Sequence, residues 1–406
     1  MFKSSAYRFT FASLAKAIVG MAFSLTAIKV IGPEKLGLWQ AALVIKPFIS
    51  FMQLGIIQGL GRELPLNMGK GNHSLVNKFA ATTQTLTAIY TSICLIVTII
   101  IAFNIESNTL LILTVGIYIS TTFVDGYLSS TYRSSQNFIV ISNIYIIVAL
   151  LQLLFIPVIF YFNFEGYLII ILILSMVESI LLIIFRPIKV DFYFSWIHYK
   201  KLLSVGFRIY ILAYLRNIPD TFGKLFILYF GSTTLLGLTA PSNAILTGFS
   251  LFPASIIKYI YPRMTYEFGL TSDKLILWKH AKKILLIFSG LSILGILLSI
   301  FFPWLINVFF TKYIEAIVIT SIAAFIGSAR MFSVLYNVLI TLNDVKYQIY
   351  SSIIRNVVYI ILPLLFIFFM KQNLLIAIFY GMLMAEFISN SILVYLVYLS
   401  THCHKE

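Results

Sequence analysis

Twelve ionisable side chains lie inside stretches that are otherwise apolar: Lys16, Lys29, Lys46, Asp125, Glu178, Arg208, Arg216, Asp220, Lys224, Arg330, Arg355 and Glu386. A charge in hydrocarbon costs at least about 2.5 kcal/mol near the bilayer centre, so such groups face a cavity, a pathway or a partner. Lys29, Arg208 and Arg355 stand near the ends of their stretches, where a long side chain can reach the interface. Five deep cations remain (Lys16, Lys46, Arg216, Lys224, Arg330) with four deep acids (Asp125, Glu178, Asp220, Glu386). Arg216, Asp220 and Lys224 recur every four residues and so share one helical face. Pro219 removes a backbone hydrogen bond beside Asp220. A charged, kinked stripe of this kind belongs in the interior. The plainer alternative is a self-satisfied salt-bridge ladder that only locks helices together. Lys16, Lys46 and Arg330 have no acid three or four residues away, and Lys46 precedes Pro47, a second expected kink. Asp125, Glu178 and Glu386 lie in stretches other than those of the cations. A positive cavity flanked by separate acids would suit an anionic substrate. The plainer alternative here is that Lys16 and Arg330 extend to the interface.

The elements that must carry these charges follow from composition. Of 406 residues, 60% are hydrophobic and only 11% charged, whereas a soluble domain has about 25% charged residues. The apolar residues form blocks of the roughly 20 residues needed to cross about 30 Å of hydrocarbon. Twelve spans are expected: 9–31, 37–61, 79–103, 110–131, 139–162, 167–185, 205–230, 235–257, 284–308, 316–341, 351–370 and 374–399. This is an all-α membrane protein without a separate soluble domain. The first apolar stretch runs on to about residue 31 and contains Lys16, so it reads as a retained span rather than a cleaved signal. Cys94 and Cys403 imply no disulfide framework. The sequence His402-Cys403-His404 reads as a solvated tail rather than a metal site. Gly55-x-x-x-Gly59 favours close helix approach. Gly69-Lys70-Gly71 lacks the spacing of a phosphate loop, so no ATPase engine is expected.

The net charge of +15 has an account that does not involve nucleic acid. Of 29 Lys and Arg residues, 18 fall in one alternating set of gaps and the termini, and only Lys35, Lys312 and Lys371 in the other. The positive-inside rule then places both termini in the cytoplasm. All external gaps are short. The sequence also echoes itself after about 200 residues: Tyr7-Arg8-Phe9 with Phe207-Arg208-Ile209, Leu36-Gly37-Leu38 with Leu236-Gly237-Leu238, Arg62 with Arg263, and Pro157 with Pro363. Six spans per repeat keep each helix in the same direction. The expected architecture is two parallel six-helix bundles, 1–204 and 205–406, around a central cavity.

Ile31-Gly32-Pro33-Glu34-Lys35-Leu36-Gly37-Leu38-Trp39 resembles the first-hairpin signature of the polysaccharide flippases. Gly59-Leu60-Gly61-Arg62-Glu63-Leu64-Pro65 is similar to the same group. Asn217-Ile218-Pro219-Asp220 with Lys224 and Gly231 resembles its Asn, Asp, basic, Gly pattern, with Lys224 three residues beyond the family's usual basic position. The resemblance is to O-antigen flippases of the multidrug, oligosaccharidyl-lipid and polysaccharide exporter superfamily. It implies a non-enzymatic carrier in the bacterial inner membrane, serving lipopolysaccharide biosynthesis. The carrier would move undecaprenyl-pyrophosphate-linked repeat units from the cytoplasmic to the periplasmic leaflet by alternating access. It implies membrane lipid, a polysaccharide polymerase and a chain-length regulator as partners, and no cofactor beyond a coupling ion, H+ or Na+, acting through Asp125, Glu178, Asp220 or Glu386. The substrate head would meet Lys16, Lys46, Arg216, Lys224 and Arg330, since Arg matches phosphate oxygens and Lys acts as a point charge.

Three rivals stand beside this reading. A cation-coupled multidrug exporter of the same superfamily should have a net acidic cavity, against five deep cations and four acids here. A lipid-linked peptidoglycan precursor flippase often has additional spans. A membrane polysaccharide polymerase or ligase needs sizeable periplasmic segments, which the short external gaps do not supply.

Overall fold

The computed structural model describes residues 2–105, 108–271, 273–370 and 373–402, with the backbone alone at 2–6, 252, 254–259, 262, 263 and 269. Lys371, Cys403, His404 and Lys405 lie outside the described residues. The chain is helical almost throughout, and no strand occurs among the described residues. Many of these helices are rich in Ile and Val, which have only modest helix propensity in water. In an apolar medium the balance changes: each backbone N–H and C=O must be satisfied within its own segment, and the helix does that.

The first helices are α1 (Phe2–Val30), α2 (Pro33–Leu43), α3 (Lys46–Phe51), α4 (Ile56–Gly69), α5 (His73–Asn104), α6 (Thr109–Ser134) and α7 (Phe138–Ile184). They are followed by α8 (Trp196–Asn217), α9 (Pro219–Phe230), α10 (Thr233–Leu238), α11 (Ala240–Thr271) and α12 (Lys274–Ser299). The last are α13 (Phe302–Phe309), α14 (Ile317–Arg330), α15 (Tyr336–Thr341), α16 (Val345–Phe369) and α17 (Leu374–His402). Among the described residues, eight helical stretches are long and apolar enough to cross a membrane, and a ninth results if the bent pair Pro33–Phe51 and Ile56–Gly69 is one span. The chain is therefore an all-α, multi-pass membrane protein. In α7, 47 residues would extend about 70 Å if straight, more than twice the hydrocarbon thickness. The backbone breaks at Asn163 (φ 48°, ψ −122°), inside the short gap expected between spans five and six.

Elsewhere the helices depart from the expected spans. The kink in span two is not confined to Pro47: the chain turns by 54° between Phe51 and Ile56, with Leu54 and Gly55 both at positive φ. The polar gap expected between residues 258 and 283 is mostly helix, because α11 and α12 carry their charged ends onward. The stretch 316–341 is divided into α14, a 3-10 turn at Met331–Leu335 and α15.

Two compact units divide the chain. The first contains residues 1–31 and 42–214, the second 32–41 and 215–406. In the first unit α1 runs along α7, and α6 lies against both α5 and α7. Gly55 and Gly59 meet α8 there: a Cβ on Gly59 would fall 2.1 Å from the carbonyl oxygen of Leu202, and one on Gly206 would fall 2.0 Å from that of Gly55. The close approach expected of the glycine pair is thus made. In the second unit α17 packs against α14 and α16, and α9 rests on α16 and α17. Phe288, Val338, Leu339 and Val397 are fully buried in its core. Two glycines that echo each other in sequence touch in this unit. A Cβ on Gly37 would lie 1.9 Å from the Thr233 carbonyl oxygen, and one on Gly237 would lie 1.7 Å from that of Pro33.

Candidate functional site

In the second unit the salt-bridge ladder along span seven, the plainer alternative to an interior stripe, does not form. The helix breaks at Ile218, and α9 restarts with Pro219 at its first turn. Asp220 pairs with Arg330 at the end of α14, with Oδ1 2.8 Å from Nη2 and Oδ2 3.3 Å from Nη1. Arg330 Nε also donates to Glu386 Oε1 at 2.8 Å. Arg355, one turn before Tyr359 on α16, donates from both Nη atoms to the two oxygens of Glu386 at 2.9 and 3.0 Å. The Tyr359 hydroxyl donates to Oε1 of Glu386 at 2.5 Å, and Asn390 Nδ2 donates to Oε2 at 3.2 Å. The Glu386 side chain is fully buried. An unpaired carboxylate there would be prohibitively costly; two guanidiniums and two neutral donors make it tenable. The interior thus holds a chain Asp220–Arg330–Glu386–Arg355 across four helices.

Arg216 stays outside that chain. Its Nη2 donates to the Ser333 carbonyl oxygen at 2.7 Å, and its guanidinium lies 4.4 Å from the centre of the Tyr336 ring. Neither Arg216 nor Lys224 makes an ion pair among the described residues. The second unit thus sets four deep cations, Arg216, Lys224, Arg330 and Arg355, against two deep acids, Asp220 and Glu386.

In the first unit Lys16 forms an ion pair with Glu178, and its ammonium lies 4.6 Å from the Tyr145 ring centre. Asp125 accepts a 2.7 Å hydrogen bond from Ser179, the residue after Glu178. Lys46, where the chain resumes as α3, donates to the Tyr118 hydroxyl at 3.2 Å and lies 4.3 Å from that ring's centre.

The expected residues thus divide by unit: Lys16, Lys46, Asp125 and Glu178 in the first, and Arg216, Asp220, Lys224, Arg330 and Glu386 in the second. Two sequence expectations need correction. The acids are not held apart from the cations: Glu178 and Asp220 each bind one, 110 or more residues away, and Glu386 binds two, 56 and 31 residues away. Arg355 does not reach for the interface but completes the Glu386 site. The one sequence sign of this was the four-residue spacing of Arg355 from Tyr359 and of Glu386 from Asn390, which puts each pair on one helical face. Among the described residues no three His, Cys, Asp or Glu side chains are grouped as a metal site requires.

No protein-family model matches the sequence, and no curated protein matches it either. Solved structures do resemble it. A multidrug resistance MATE family transporter of the MOP superfamily, in its inward-facing conformation, superposes with a TM-score of 0.71 at 14% identity over 96% of each chain. The lipid II flippase MurJ, inward closed, gives 0.69 at 16% identity, covering 97% of this chain and 87% of its own. A Vibrio cholerae MATE transporter gives 0.58 at 14% identity over 98% and 96%. The chain has the fold of these transporters. At these identities the likeness shows the path of the backbone alone.

Proposed function

We propose that the protein is a flippase that carries undecaprenyl-pyrophosphate-linked O-antigen repeat units from the cytoplasmic to the periplasmic leaflet of a bacterial inner membrane, with both termini in the cytoplasm. The observation that supports it best is the surplus of deep cations. Lys46, Arg216 and Lys224 make no ion pair among the described residues, whereas Asp125 is the one deep acid in the same position. A pyrophosphate head with sugars is too polar to enter hydrocarbon unaided. Deep guanidinium and ammonium groups would replace its water while the lipid tail stays in the bilayer. An inside-negative potential would favour outward movement by about 2.3 kcal/mol per charge per 100 mV. A coupling ion, H+ or Na+, would act at Asp125, beside the Lys16–Glu178 pair. On this reading the chain is not an enzyme, and it would hand its product to a polymerase and a chain-length regulator.

The second reading is a cation-coupled multidrug exporter. It draws support from the MATE likeness and from Asp125, but it leaves the unpaired cations without a use. Deleting the gene in its source strain separates the two. The flippase reading expects surface polysaccharide to be lost and lipid-linked repeat units to accumulate facing the cytoplasm. Unaltered surface polymer with raised drug sensitivity would favour the exporter.

A further inference from the structure

The ion-pair chain of the second unit leaves several donors unused, and they converge. Arg216, Tyr336, Ser352, Arg355, Ser389 and Asn390 line one small recess beside Glu386, and no carboxylate is among the residues that line it. Arg216 has five N–H donors and makes a single hydrogen bond, to Ser333. Arg355 turns both Nη atoms to Glu386, and its Nε is buried with no hydrogen-bond partner. Ser389 Oγ is likewise buried and unpartnered. Ser389 is 7% exposed. A buried donor without a partner costs about 1–3 kcal/mol. Two of them, from α16 and α17, belong to residues that line the same small space as two like-charged guanidiniums. A neutral ligand would leave that repulsion standing, and a metal cation would increase it. A tetrahedral oxyanion would answer both deficits, since its oxygens accept from guanidinium and hydroxyl donors together.

We propose that this recess is an oxyanion site that takes a phosphate group, held between Arg216 and Arg355 with Ser389 as a hydroxyl donor. That the phosphate belongs to the head of a lipid-linked saccharide rests on the flippase reading; the site itself does not. The guanidinium of Arg355 would then have two tasks, one edge on Glu386 and Nε on the ligand. Glu386 becomes a positioning residue that fixes the direction of the free edge.

The test uses the full chain in nanodiscs of phosphatidylcholine, at constant ionic strength. Thermal unfolding is followed against inorganic pyrophosphate, against a prenyl pyrophosphate, and in discs containing phosphatidylglycerol. A saturable rise in Tm with at least one probe is expected. Arg216→Gln and Ser389→Ala should each weaken that response tenfold or more, and Arg216→Lys should restore part of it. Lys189→Gln removes a charge from an exposed loop position and should leave the response unchanged. A response to the prenyl probe alone assigns the phosphate to a lipid carrier, to pyrophosphate alone a free anion, and to phosphatidylglycerol alone a bilayer lipid. No saturable response to any probe, or an equal loss in Lys189→Gln, overturns the site. Should Arg216→Gln fail to fold, Ser389→Ala decides alone. Failure of the flippase reading is a separate result, namely phosphate binding intact while deletion of the gene leaves surface polysaccharide normal.

Discussion

Glu386 and Asp220 share the cation Arg330 but differ in what surrounds them, so their loss should differ. The Glu386 side chain is completely buried, while that of Asp220 is 49% exposed. Glu386→Gln would leave Arg330 and Arg355 facing each other without their shared counter-charge. Removing one partner from a buried ion pair costs about 3–5 kcal/mol. A large fall in Tm is expected for this variant in detergent-solubilised protein, by intrinsic fluorescence. Asp220→Asn breaks a partly exposed pair, worth about 1 kcal/mol or less, and its Tm should stay close to that of the parent. Equal falls in the two variants would contradict the burial argument. The sequence revealed the charged residues themselves, because an ionisable group in an apolar stretch is conspicuous. It could not reveal the pairing. Arg330 and Glu386 are 56 positions apart, and no local periodicity connects α14 to α17. Arg355 was hidden for a related reason: distance from a span end says whether a side chain can reach the interface, and nothing about a carboxylate on the next helix.

At the scale of elements, glycine decides where helices come closest. Gly37 and Gly237 have carbonyl oxygens under 2 Å from where a Cβ would stand, while Gly20 and Gly290 have nothing within 4 Å. Gly37→Ala or Gly237→Ala must push α2 and α10 apart. Overpacking typically costs about 1–3 kcal/mol, and contact with backbone rather than a flexible side chain puts these two at the upper end. Gly20→Ala and Gly290→Ala sit inside helices in open space and should be neutral or stabilising by up to about 1 kcal/mol. Yield of monodisperse protein and Tm for the four variants measure this; parity among them would mean that the two glycines are not in contact. The Leu-Gly-Leu echo was legible in sequence, and so was the turn near Asn163, because a short polar interruption between apolar blocks leaves little freedom. The bend at Leu54–Gly55 was not legible. Pro47 was the more visible breaker, but the helix tolerates it near the start of α3, and the chain turns where Gly55 can adopt φ 90° and meet the Gly206 backbone.

For the whole molecule, orientation is the property that hydrophobic burial cannot decide, since an apolar helix is equally content either way up. Charge decides it. The 18-to-3 division of Lys and Arg between alternate gaps makes one orientation far better than the other, through retention of positive loops on the cytoplasmic side. On the proposed function the direction of transport depends on that choice, because an outward-moving anion gains from the membrane potential only if its loading side is the negative one. Two exposed positions report on it. Asn72 lies in the gap between α4 and α5, in the cationic set, and Thr311 lies between α13 and α14, in the sparse set. In a chain with Cys94 and Cys403 replaced by alanine, Thr311→Cys should react with a membrane-impermeant maleimide on intact cells or spheroplasts. Asn72→Cys should react only after the membrane is opened. The reverse pattern would invert the molecule, turn the cationic loops outward and oblige any anionic substrate to be loaded from the far side, so that the flippase reading could not survive it. Labelling of both from outside would instead mean that an even number of crossings separates the two positions, against the odd number the charge count requires.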